Sequence, residues 1–177
     1  MATRSRGSRR KTEWAGLGAA DGAAALPVPV NLTAGTAAII SAGAVVAGGS
    51  GLVDNEVTIT RLIANMTCGL RSASADVSGS VAVGCAVVRT EAVAAGVAAL
   101  PSPESDPDFE WLWYGVFPLR RLTSSQGTPT GADISLVQID GRAQRIVRTG
   151  QTMIWLAESQ GDAAFAGIGG RYLVKLP

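Results

Sequence analysis

Residues 80–88 read SVAVGCAVV. Val81, Val83, Cys85 and Val87 fall on one side of this run; Ser80, Ala82, Gly84 and Ala86 fall on the other. A two-residue period is the signature of a strand, because successive side chains of extended backbone point to opposite faces. A helix would mix the bulky and small sets and bury neither. The bulky set is the expected core face, and the small set lets a second backbone layer come close.

The same period recurs along the chain. In EVTITRLIANMTCGL, Val57 and Ile59 share a face, but from Leu62 the apolar residues move to even positions: Leu62, Ala64, Met66, Cys68 and Leu70. That change of phase at Arg61 predicts a β-bulge. TAAIIS, AGAVVAG, EWLWYGVFPL, ADISLVQID, AQRIVR, QTMIWLAES and GGRYLVKL are further strand-like runs. Turn dipeptides stand at Asp140-Gly141, Thr149-Gly150 and Gly161-Asp162. TEAVAAGVAAL, stopped before Pro101, is the sole helical pattern. Eight to ten short strands with almost no helix predict an all-β fold, a closed or double-layered antiparallel sheet, of which the antiparallel β-sandwich is the reading adopted. At 177 residues one such domain has enough chain to bury a core. Its expected extent is 36–177, preceded by an extended linker over 13–35, where Pro27 and Pro29 disfavour helix.

Residues 1–12 differ from everything after them. Arg4, Arg6, Arg9, Arg10 and Lys11 lie in eleven residues, with no acid before Glu13. The formal net charge of +1 conceals this arm. Without it, ten Lys and Arg face 14 acids, so the body is about four units negative. The twin arginine of SRRKTEW is followed by Glu13, Gly16, Gly18 and Asp21 instead of an apolar export segment. The dense apolar stretch TAAIISAGAVVAG reaches only about 20 Å as a helix, so no membrane span is expected.

The chain has no histidine. Ser–His and Cys–His nucleophile systems are therefore excluded, along with the commonest general base and metal ligand. Cys68 and Cys85 cannot complete a four-ligand zinc site alone. They are either two buried apolar residues or one disulfide between neighbouring strands. Glu104, Asp106, Asp108 and Glu110, in a run with Pro101, Pro103 and Pro107, form either a solvated loop, a calcium site at a subunit contact, or partners for Arg120 or Arg121 or for the arm of a neighbouring copy. No enzyme activity, metal, cofactor or small-molecule substrate is expected.

The arm SRRKTEW, the eight or so strands behind it, and the blocks VQIDGRAQRIVRTGQTMIWLAES and GRYLVKLP together resemble single-jelly-roll coat proteins of small viruses and phages. The resemblance implies an eight-stranded jelly roll, a place in the virion, copies of the chain itself as partners, and nucleic acid held through Arg4, Arg6, Arg9, Arg10 and Lys11. Five cations on a tether bind phosphates without reading base sequence. Many arms on one shell would act together through effective concentration. A shell of about 60 copies would neutralise only roughly 300 phosphates. That small number keeps a second reading open: a decoration or minor protein docked on a larger capsid. A third is a lectin-like ligand-binding sandwich. Charged residues are only 16% of the chain, and Trp111, Trp113 and Tyr114 concentrate on one run. These three are the expected assembly contact, with Trp111 and Trp113 on the same face by their alternate spacing.

Overall fold

The computed structural model describes residues 12–16, 30–42, 56–70, 78–89, 91, 100, 109–120, 134–148, 150–160 and 164–175. Nine strands account for nearly all of them. They are β1 (Thr12–Gly16), β2 (Val30–Asn31), β3 (Ala38–Ala42), β4 (Glu56–Leu70), β5 (Ser78–Arg89), β6 (Glu110–Arg120), β7 (Ile134–Arg148), β8 (Gln151–Ser159) and β9 (Ala164–Lys175).

The pairing is nested. β5 pairs β6, β4 pairs β7, β3 pairs β8 and β2 pairs β9, every pair antiparallel. The chain thus runs out and returns beside itself like one long hairpin. Rolling that hairpin gives a sheet of order β1-β9-β4-β7, with β2 also on β9, and a second sheet of order β3-β8-β5-β6. This is the jelly-roll strand order, expressed as a two-sheet sandwich. Two segments of the stretch read as a linker, β1 and β2, both pair with β9.

The core lies between the sheets. From β4 it receives Val57, Ile59, Leu62, Ala64, Met66, Cys68 and Leu70; from β5, Val81, Val83, Cys85 and Val87. Both sets are those the alternation predicted. The phase change in β4 is a real irregularity: the pairing with both β7 and β9 shifts between Ile59 and Arg61. Thr60 sits in the shift, and its hydroxyl donates to the Leu173 carbonyl at 3.1 Å. The bulge keeps Ile59 and Leu62 on one side despite their odd spacing.

β5 and β8 are also apolar on their other face. Ala86, Val88, Ile154 and Leu156 are buried there beneath Ile39, Leu100, Phe109 and Trp111. The Leu100 amide donates to Glu158 Oε2 at 2.6 Å, which ties the chain after β5 to this outer face.

Several expectations change. Asp140-Gly141 is no turn: it lies inside β7, a single 15-residue strand that joins the two runs read separately. β4 pairs along almost the whole of it, and that ladder outweighs the local turn preference of the dipeptide. Gly150, with φ 83°, does mark the β7–β8 turn. The helical run before Pro101, the AGAVVAG run and Gly161-Asp162 lie outside the described residues, apart from Ala42, Glu91 and Leu100.

Candidate assembly surface

The aromatic strand β6 forms the edge of its sheet and pairs only with β5 among the described strands. Its register on β5 slips between Cys85 and Ala86, so that Cys85 faces Trp113 while Ala86 faces Trp111. Leu112 is the extra residue. This bulge overturns the same-face reading of the two tryptophans. Alternate spacing puts side chains together only in a regular strand, and one inserted residue reverses the phase.

Trp113 consequently points into the sandwich. It packs on the main core, with its ring centroid 5.8 Å from that of Trp155 and 5.9 Å from that of Phe117. Gly115 leaves the space its ring needs: a Cβ there would lie 2.8 Å from Trp113 Cη2. Trp111 points out. It stacks on Phe109 at 5.6 Å and meets the ring of Tyr114 edge-on at 5.5 Å. Its six-membered ring covers Gly84, where a Cβ would collide with Cζ3. So the small residues of β5 do admit a second layer, and at Gly84 and Ala86 that layer is Trp111 of the same chain. Of the three expected contact residues, Trp113 belongs to the core, while Trp111 and Tyr114 share the outer, partly covered face.

Farther along that face, Ser80 and Ala82 line an open groove of about 560 Å³ with Gly35, Val116, Glu158, Ser159 and Gln160. Val116 is 57% exposed, one of three large apolar residues so exposed among those described. The other two, Leu136 at 71% and Ile146 at 40%, lie on β7. β7 is the edge of the other sheet and is paired only by β4 among the described strands. Exposure alternates from Leu136 to Gln144, Arg145 and Ile146 are both exposed, and Arg142, Arg145 and Arg148 make the strand cationic. Arg61, across the ladder, donates to Asp140 from Nε at 2.9 Å and from Nη2 at 2.6 Å. That bidentate bond holds the Asp140 carboxyl below its usual range, with Arg142 adding to the effect. Nothing in the sequence marks this strand as a surface, because the turn dipeptide reads as a break between two short runs.

Arg4, Arg6, Arg9, Arg10 and Lys11 lie outside the described residues, as do Glu104, Asp106, Asp108 and Arg121. Their tether does not: Thr12 opens β1, opposite Lys175. Among the described residues no three His, Cys, Asp or Glu side chains gather as metal ligands, and no helix is long and apolar enough to cross a membrane. Cys68 and Cys85 are both buried as free thiols, which resolves the alternatives the sequence left open.

No protein-family profile matches the sequence, and no curated protein does. Among solved structures, a CocE/NonD family hydrolase from Staphylococcus aureus is similar to 87% of this chain at 8% identity, with a TM-score of 0.38. The similar region spans 37% of that protein's length.

Proposed function

We propose that this protein is a viral coat protein that assembles with copies of itself into a shell and holds nucleic acid through its basic arm. The observation that carries the reading is the join between arm and body. Five cations precede Thr12 directly, and Thr12 is already paired at the margin of a jelly roll. A cationic tether anchored to a rigid sandwich can reach phosphates while the body makes protein contacts. The exposed apolar residues on β6 and β7 supply surface for those contacts.

The test is removal of residues 1–11, which spares β1. The truncated protein is expected to fold, to keep its self-association and to lose salt-sensitive retention on nucleic acid. For the intact monomer, log K should fall with log salt at a slope of about −4.5 on duplex DNA, or about −3.5 on a single strand, if all five cations contact phosphates. Unchanged retention at low salt after truncation would refute the role of the arm. Negative-stain microscopy of the intact protein tests the shell.

The count of five cations per copy favours one other reading, a decoration protein on a larger capsid, because so few charges neutralise little of a genome. In that case the purified protein forms small rings or stays monomeric.

A further inference from the structure

An edge strand is a ready template for another strand, and proteins usually blunt it by shortening it, by proline or by charge turned inward. β7 runs for 15 residues without a proline, pairs only with β4 among the described strands, and carries two of the three large apolar residues exposed among those described. From Leu136 to Ile146 its outward-facing residues are Leu136, Gln138, Asp140, Arg142, Gln144 and Ile146. Read about Gly141, this series complements its own reverse: Asp140 mirrors Arg142, Gln138 mirrors Gln144, and Leu136 mirrors Ile146.

We propose that β7 pairs antiparallel with β7 of a second copy, about a two-fold axis perpendicular to the sheet that passes midway between the two Gly141 residues. Isologous contacts need a self-complementary patch, and this strand has one. Directly opposite residues in an antiparallel ladder share a face, so each outward residue meets an outward residue of the second copy. Asp140 then faces Arg142 of the second copy, and the reverse pair forms by symmetry. Leu136 and Ile146, exposed in one copy, cover each other in two places. The two sheets become one continuous sheet with β7 buried at its centre.

Neighbouring registers fail on charge. Centring on Asp140 sets two carboxylates opposite each other; centring on Arg142 sets two guanidiniums opposite each other and leaves Leu136 against Arg148. Shifting by a single residue pairs outward with inward positions and puts Leu136 against Arg145. Electrostatics and apolar cover therefore select the same register. The contact deepens the coat-protein reading, since it names the surface on which copies meet.

Gly141 provides the test. A Cβ there meets nothing within 4 Å, so cysteine fits. On the two-fold axis, position 141 faces itself across about 4.5–5.5 Å between Cα atoms, within reach of a disulfide. Gly141→Cys in the full chain, under mild oxidation, is expected to give a covalent dimer that dithiothreitol reverses. The buried native cysteines keep the background low. Gln144→Cys alone should not cross-link, because its mates lie about 20 Å apart. Mixed with Gln138→Cys, it should. Equal cross-linking by Gln144→Cys and Gly141→Cys would mean random collision and overturn the proposal. So would shells of Gly141→Cys that contain no cross-linked dimer, and this outcome would leave the coat reading standing. Cross-linked dimers without shells would do the opposite: the edge contact holds and the coat reading fails.

Discussion

Gly84 and Gly115 lie on adjacent strands, one register step apart, and each serves a different tryptophan on a different face of the same sheet. Trp111 lies over Gly84 outside the sandwich, and Trp113 lies beside Gly115 within it. The absent Cβ is a packing requirement in both cases, since the atoms it would meet belong to large rings with few alternative rotamers. Gly84→Ala is therefore expected to destabilise the protein by about 1–3 kcal/mol, the usual cost of overpacking. A urea denaturation midpoint that is unchanged or raised would contradict the placement of Trp111. The buried thiols act on stability through pH. Burial pushes Cys68 from an ordinary value of 9.0 to about 11, and pushes Cys85 well above it. The folded chain thus keeps protons that the unfolded chain releases, so stability is level below the unfolded value and falls as pH rises from 9 towards 11. Chemical denaturation between pH 7 and 11 should show this fall, and Cys68→Ala should reduce its slope.

At the scale of the strand, one residue of slip decides what a side chain does. The Leu112 bulge separates Trp113, part of the core, from Trp111, part of the outer cover. Trp113→Ala is expected to cost about 2–4 kcal/mol, scaled down from a fully buried tryptophan because the ring is partly exposed. Trp111→Ala should cost less and leave the near-ultraviolet circular dichroism of the core largely intact. Equal losses would mean that both rings serve one core. The two bulges also show what a sequence can reveal. In β4 polar threonines alternate with Val57 and Ile59, so the move to even positions after Arg61 is visible as a broken rhythm. In β6 the run EWLWYGVF offers polar contrast only at its first residue, and a slip in an almost wholly apolar run leaves no trace. β5 was legible on its bulky face. Its other face was read only as small, because Trp111, which covers it, reaches it through the β6 slip. In β7 the Asp140-Gly141 pair carries a genuine turn preference, and only the ladder to β4, 79 positions away in sequence at Arg61–Asp140, overrides it.

Across the molecule, β9 holds a singular position. It is the last strand of the nine, yet β1, β2 and β4 all pair with it. During synthesis, therefore, β1 and β2 leave the ribosome with their partner still unmade. β5 and β6 can close their hairpin early, and β4 can find β7 soon after. The β1-β9-β4-β7 sheet waits for β9. Contacts of such long sequence separation form slowly. If copies of the chain meet as proposed, the delay has a use: while β9 is missing, β1 has no partner, and the cations before Thr12 have no folded sheet behind them. On that proposal, a nascent chain can touch nucleic acid before it presents a finished subunit. Completion of the β1-β9-β4-β7 sheet is in any case timed by the order in which the residues are made.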